Sequence, residues 1–364
     1  MNTERLRSVL RLFTEWNNKY DITSLLNNIE NAYTQSVKNP DPKNAQTFKD
    51  ALEALRATVT GYQVSGISPS RRKILSAIGG LDYYGDALVH HIEDIISTST
   101  TPSDVLAGIQ NLRSTVDDFF LTIQSIDDNL AKLGIEIEAI PSDSAEIEIL
   151  IPESIIDGNL KEFVKETQHI ETAISDIREV VTGNRIPLNI RSLSSGSIEL
   201  FINVDPATGA AVVNFVNDVV LLINNIVHTR NSRESLERQE APKEILRNIK
   251  KWETDRINRE IENTCTKLIK QYKGHEGRKN ELLNALFVSL KRLASRIDRG
   301  MDIAVTTSVT TKSKGDEKVE EGGQAKDIKQ SIELIRQSGN IISQLERTDE
   351  PVMQSDIKNN EEAK

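Results

Sequence analysis

The 364-residue chain has a single cysteine, Cys265, and few aromatic residues. One thiol cannot form an intramolecular disulfide or a cysteine-rich zinc site, so we expect a reducing, cytoplasmic setting. The hydrophobic residues (AVILMFWYC) make up 37 % of the chain. Even with glycine added, this is below the roughly 45–50 % of a typical compact domain, which indicates helices with much solvated surface.

Long uncharged apolar runs are also missing. No window of about 18 residues is apolar and free of charge, which argues against a transmembrane span. Residues 1–7 lack the uninterrupted apolar stretch of a signal peptide. Acidic side chains outnumber basic ones by 55 to 45, for a formal net charge of −10. Such a chain is globally a poor match to nucleic acid, although a local basic face would still suit it.

Residues 1–133 carry apolar residues at helical spacing and predict a helical bundle. The clearest segment follows Thr101, where Pro102 suits the first helical position and Thr101 with Asp104 can form a capping box. The apolar positions that follow alternate steps of four and three, as in a bundle or coiled coil. They are Val105, Ile109, Leu112, Val116, Phe119, Ile123, Ile126 and Leu130.

Residues 134–230 predict a duplicated strand–strand–helix domain. Apolar and polar residues alternate with period two over 135–139 and 147–151, and again over 186–191 and 198–204. Each pair predicts a β-hairpin, and a helical segment follows each hairpin. Two hairpins joined edge to edge would form a four-stranded antiparallel sheet, with one face covered by the two helices and the other face wet.

The second of these helices is apolar around most of its circumference. A helix of this kind is buried on several sides, and a small sheet covers only one of them. The helical regions or a second subunit must cover the rest. The candidate association helix therefore carries Val213, Val216, Val220, Ile223 and Val227.

Residues 231–300 predict a charged helical hairpin. Its first helix has two apolar seams offset by one residue: Ile245, Ile249 and Trp252, then Ile257, Ile261, Thr264, Leu268 and Tyr272. Residues 301–364 predict a linker, a short helix and a disordered tail, with a strand as an alternative for 301–311. The predicted fold class is therefore α+β and mostly α.

One cluster of cations suggests a local basic patch. If the hairpin forms, part of this cluster converges and would suit a phosphate backbone or an acidic protein. Aromatic residues that would stack nucleic-acid bases are not interleaved with it, so an ordinary solvated face is the simpler interpretation. The patch comprises Lys267, Lys270, Lys273, Arg278, Lys279, Lys291, Arg292, Arg296 and Arg299.

Motifs for catalysis, metals or cofactors are weak, and we expect none of these sites. Asp86, His90 and Asp94 share a helix face, but that face lies opposite the apolar stripe, and no second histidine-rich segment could complete a metal site. The segment Ser194–Ser197 lacks the Gly-x-Ser-x-Gly pattern and the phosphate-loop pattern, and it is typical of a hairpin turn.

These features favour a non-enzymatic scaffold or adaptor that binds a protein partner or a second copy of itself through its helices. One alternative is a nucleic-acid-responsive accessory subunit of a bacterial multi-gene system, such as an antiviral defence system, acting through the basic patch. Another is an enzyme with a site on the exposed sheet face around Arg191, Glu199 and Asn203.

Overall fold

A computed structural model of the chain describes residues 3–59, 67–138, 140, 141, 143–194, 198–272, 274–307, 330–335, 345 and 351–353. The chain divides into two compact units, Met1–Ala139 and Ile140–Lys364. It is mostly helical and has a four-stranded antiparallel sheet, which confirms the α+β, mostly α fold class.

The first unit consists of helices packed around one apolar core. They are α1 (Thr3–Tyr20), α2 (Ile22–Lys38), α3 (Pro42–Val59), α4 (Pro69–Ala77), α5 (Asp86–Thr98) and α6 (Pro102–Lys132), with a 3₁₀ turn at Leu81–Tyr83. The ring centroid of Phe13 lies within 5.7 Å of the centroids of Trp16, Tyr84 and Phe120. The capping box at the start of α6 is confirmed, because the Thr101 hydroxyl accepts from the Asp104 amide at 3.2 Å and the Asp104 carboxylate accepts from the Thr101 amide at 3.1 Å.

The predicted strand over residues 135–139 is wrong for residues 135–138, and Ala139 lies outside the described part. Instead, α1 holds this segment. Arg5 donates from Nε and Nη2 to the Glu138 carboxylate at 2.5 and 2.8 Å, and Arg7 donates to the Ile135 carbonyl. Arginines of α1 thus bind the Glu138 side chain and the Ile135 carbonyl, and the first predicted hairpin does not form.

The second unit contains the sheet and the longest helix. Its elements are β1 (Ala145–Ile151), α7 (Glu153–Ile156), α8 (Leu160–Thr182), β2 (Asn189–Ser194), β3 (Ile198–Val204), α9 (Pro206–Arg238), α10 (Lys243–Ile269), α11 (Glu276–Asp298) and β4 (Asp302–Thr307).

The sheet has the strand order β2-β3-β1-β4, with all neighbours antiparallel. Ile147 on β1 lies opposite Ile202 on β3 and Val305 on β4. The fourth strand therefore comes from the 301–311 segment, where a strand was the alternative to a linker. The predicted duplication lacks its first strand, and the turn at residues 195–197 lies outside the described part.

Helix α9 is buried within a single chain. It begins as predicted, with the Asp205 side chain accepting from the Thr208 amide and Pro206 at the first position. Helices α8, α10 and α11 and strands β1 and β4 pack against it. The residues of the candidate association helix, Val213, Val216, Val220, Ile223 and Val227, are all at most 6 % exposed. The expectation that they form an open association surface is therefore wrong, because α8, α10, α11 and the sheet cover them.

By length and composition α9 could cross a membrane, but 67 % of its most apolar window is buried inside the chain. This is the burial of a core helix. One such helix is weak evidence for a membrane span.

The centre of the second face of the sheet is buried rather than wet, and Arg191 and Asn203 at its side are half-buried. Glu146, Glu148, Glu199 and Phe201 are all at most 5 % exposed. Arg191 donates from Nη1 to Glu146 at 3.2 Å, so the carboxylates on this face have partners. The alternating glutamates of the sequence identify the sheet face opposite the isoleucines, but they do not show whether that face is exposed to solvent.

Further parts of the 301–364 segment belong to the core. Residues 330–335, within the predicted short helix, are helical and Ile335 is buried. Val352 and Met353 are buried as well, and the Met353 amide donates to the Asp298 carboxylate at 2.6 Å. The predicted linker over 312–326 lies outside the described residues.

Candidate interaction surface

Helix α10 has one face that runs the length of its first half. Ile245, Ile249, Trp252, Arg256 and Arg259 follow one another at steps of four, three, four and three, which places them on the same side of the helix. We call this set the α10 seam. Its first two turns are apolar, and its next turns carry two arginines.

The apolar end of the α10 seam faces solvent. Ile245 is 48 % exposed and Trp252 is 47 % exposed. The second seam of the same helix behaves in the opposite way, since Ile261 and Leu268 are at most 5 % exposed. A shift of one residue turns a helix by about 100°, so the two seams face different directions and only the second reaches the core.

Polar contacts fix α10 against α9 beneath the seam. Arg233 on α9 donates from Nε to Glu253 at 3.3 Å, and Glu253 is buried. About three turns further along α10, the Thr264 hydroxyl donates to Asp218 at 2.9 Å. The backbone under the α10 seam is therefore held by helix–helix contacts before any partner arrives.

Two shallow cavities flank the Trp252 ring. The first, of about 390 Å³, is mainly apolar and is lined by Thr229, Ser232, Arg233, Ile245, Asn248, Ile249 and Trp252. The second, of about 280 Å³, is lined by Asn248, Lys251, Trp252, Asp255, Arg256 and Arg259. The tryptophan thus separates an apolar concavity from one in which cations outnumber carboxylates.

The arginines of the seam differ in how they are paired. Arg256 forms an ion pair with Glu260 at 2.8 Å, and its guanidinium carbon lies 5.9 Å from the Trp252 ring centroid. Arg259 is exposed and makes no ion pair with the residues that the structure describes. Lys251, beside it in the second cavity, is likewise exposed. We call Lys251, Arg256 and Arg259 the basic end of the seam. Its exposed cations, Lys251 and Arg259, can bind carboxylates of a partner protein.

The predicted basic patch is divided by carboxylates. Arg296 is buried against Glu166, and Lys267 lies 3.7 Å from Asp218. Hydrogen bonds from Arg278 to Glu179 and Glu281 raise the pKa of that guanidinium above its usual value. Of the others, Lys279 pairs with Glu276, Lys270 and Arg292 are exposed, Lys291 and Arg299 are half-buried, and Lys273 lies outside the described residues.

The remaining candidates are the metal-ligand set around His90 and the residues of the enzyme alternative. Across the described residues, no group of three or more histidine, cysteine or acidic side chains could hold a metal, and this includes the set around His90. The enzyme alternative placed Glu199 on an exposed face, but Glu199 is buried.

A separate cavity of about 400 Å³ lies between α8 and α11, lined by His169, Asp176, Arg292 and neighbouring residues. There the Ser289 hydroxyl donates to Asp176 at 2.9 Å, and burial raises the pKa of this aspartate. This hydrogen bond joins α8 and α11.

Sequence reasoning identified both seams of α10 but did not single out the first one as a site. The sequence feature that could have identified it is the one-residue offset between the two seams. Because of this offset the seams face different directions, and one neighbouring surface cannot cover both. When the chain is compared with protein-family models, with curated proteins and with solved structures, nothing matches it.

Proposed function

We propose that the chain is a non-enzymatic adaptor that binds a helix of another protein along the α10 seam. One observation carries this proposal: the apolar residues Ile245 and Trp252 are about half exposed on a helix whose other seam is already buried. Apolar residues at steps of four and three are the pattern by which one helix packs against another.

The physical properties of the surface support the same function. Tryptophan buries a large apolar area with little loss of conformational freedom, and it is enriched among the residues that dominate binding energies. The surrounding helix is already folded and held by α9, so binding would not require α10 itself to become ordered.

The experiment is affinity purification from cells that express the protein naturally, with the full chain as bait. We expect Trp252→Asp to lose the proteins that the wild type retains, because a carboxylate at this position would be desolvated in the interface. Leu121→Asp is the matched control, since Leu121 is 66 % exposed on α6 of the first unit and is not part of the α10 seam. This control variant should retain the same proteins as the wild type.

Two results would overturn the proposal. One is an unchanged set of retained proteins with Trp252→Asp. The other is equal loss with both variants, which would indicate a general effect of surface charge. Circular dichroism of each variant establishes that the helices remain folded.

A further inference from the structure

We infer that the segment bound by the α10 seam is an acidic amphipathic helix, with apolar residues that lie on Ile245, Ile249 and Trp252 and carboxylates that lie on the basic end. This inference rests on the proposed function and specifies its partner. It follows from the change along the seam from apolar residues to arginines.

The apolar end accepts one or two large aliphatic side chains. The concavity beside Trp252 has Ile245 and Ile249 on one side and the α9 residues Thr229 and Ser232 on the other. Filling it would remove the tryptophan ring and both isoleucines from water, which is the main source of affinity in a helix-in-groove complex.

The basic end selects the charge of the partner. Lys251, Arg256 and Arg259 line the second concavity with one carboxylate, Asp255, and Glu260 pairs with Arg256 beside it, which leaves one net positive charge. The neighbouring carboxylate Glu253 is buried and bound to Arg233, so its charge is already compensated. A partner that carries glutamates one to two turns from its apolar residues would place them on Arg259 and Lys251. A basic partner would be repelled there.

A second copy of α10 is a poorer occupant. In a parallel pair, the arginines of one copy would lie beside the same arginines of the other. In an antiparallel pair centred on Trp252, Arg259 would lie opposite Ile245 and Arg256 opposite Asn248, so these cations would meet no carboxylate. An acidic helix supplies carboxylates at the basic end and avoids the repulsion of the parallel pair.

The test uses two synthetic helical peptides and the full chain. Both peptides carry leucines at steps of four and three, and residues on both flanks of the leucines are glutamate in one peptide and lysine in the other. Fluorescence anisotropy of the labelled peptides measures binding. A labelled single-stranded thymidine oligonucleotide is the third probe, because a tryptophan beside arginines can also stack nucleic-acid bases.

We expect the glutamate peptide to bind at least about tenfold more tightly than the lysine peptide, and less tightly as salt is raised. The double variant Arg256→Glu/Arg259→Glu should reverse this preference. The control Lys270→Glu/Arg292→Glu has the same change in charge at exposed residues outside the seam, and it should bind as the wild type does.

Equal binding of both peptides, no binding of the glutamate peptide, or tighter binding of the oligonucleotide would overturn the inference. The proposed function is judged separately. If Trp252→Asp abolishes retention of the natural partner but Arg256→Glu/Arg259→Glu does not, the seam is a binding site whose partner is not selected by acidic charge.

Discussion

Arg296 on α11 and Glu166 on α8 form a buried ion pair, in which Nε of the arginine lies 2.8 Å from both carboxylate oxygens. Burial alone would raise the pKa of Glu166. The His169 ring, whose Nδ1 lies 3.6 Å from the carboxylate, together with the hydrogen bonds and positive charge of Arg296, outweighs burial and holds that pKa below its usual value. A residue that the sequence assigned to a basic surface therefore joins two helices inside the second unit.

Replacing Arg296 with methionine should strongly destabilise the protein, because Glu166 would remain buried without its principal counter-charge. We expect the free energy of unfolding at neutral pH to fall by about 3–5 kcal/mol, as measured by urea denaturation. The double variant Glu166→Gln/Arg296→Met removes both charges and should recover part of this loss. Equal stability of Arg296→Met and wild type would show that the pair contributes nothing.

Asp176 predicts a pH dependence of stability. Its pKa is raised by burial above the ordinary value of 3.8, so the ionised carboxylate disfavours the folded state. The protonated carboxyl therefore favours folding below the pKa of the unfolded state, and this contribution is lost as the pH rises through the higher pKa of the folded state. We expect Asp176→Asn to gain stability relative to wild type when the pH is raised from about 3.5 to about 7.

Urea unfolding of both proteins at the two pH values measures this difference. Asp176 accepts from Ser289 on one oxygen and from Arg185 on the other, at 2.9 and 3.2 Å, and an asparagine keeps only one of these acceptors. The change between the two pH values, rather than the difference at either one, therefore reports the charge. A relative loss of stability for Asp176→Asn over the same pH range would contradict the prediction.

The thiol of Cys265 should be unreactive in the folded protein. It is fully buried, and burial raises its pKa to about 12, so almost none of the reactive thiolate is present near neutral pH. We expect modification by a disulfide reagent at about pH 8 to be at least about 100-fold slower in the native protein than in urea. Rapid modification under native conditions would show that α10 opens readily.

Gly209 should be intolerant of a methyl group. A Cβ at this position in α9 would lie 2.8 Å from the Ala145 Cβ and 3.2 Å from Cγ1 of Val305. Although alanine is the better helix former by about 1 kcal/mol, we expect Gly209→Ala to destabilise the protein by about 1–3 kcal/mol through overpacking.

The matched control for Gly209→Ala is Gly277→Ala near the start of α11. Its Cβ would meet the exposed ring of His275 at 3.2 Å. This ring accepts a hydrogen bond from the Gly277 amide, and a shift of a few tenths of an ångström relieves the contact. We expect its stability in thermal unfolding to lie within about 0.5 kcal/mol of wild type. Stabilisation by both substitutions would mean that α9 does not approach the sheet as closely as described.

Local patterns predicted the helices well because their causes are local. The capping box at Thr101 and the proline after Asp205 involve residues within one helical turn. Pairing between distant segments was harder to predict. Residues 135–138 have the alternation of a strand, yet Arg5 and Arg7 hold them along α1, while the fourth strand comes from residues 302–307.

For the candidate site as well, local features were predictable from the sequence and contacts between distant segments were not. The one-residue offset in α10 is visible in the sequence, but which seam is exposed depends on where α9 and α11 lie. The basic patch failed as a simple surface because its partners, Glu166, Glu179 and Asp218, come from α8 and α9. A linear cluster of cations does not reveal carboxylates that other helices bring to it.

The position of β4 has a consequence for synthesis on the ribosome. β1 lies between β3 and β4 in the sheet, yet β4 follows four long helices later in the chain. During translation β1 can pair with β3 early, but its other edge stays open until residue 307 has left the exit tunnel. Nascent chains of this protein therefore carry an unpaired strand edge for most of the time spent making the second unit, the stage at which chaperones protect such edges from aggregation.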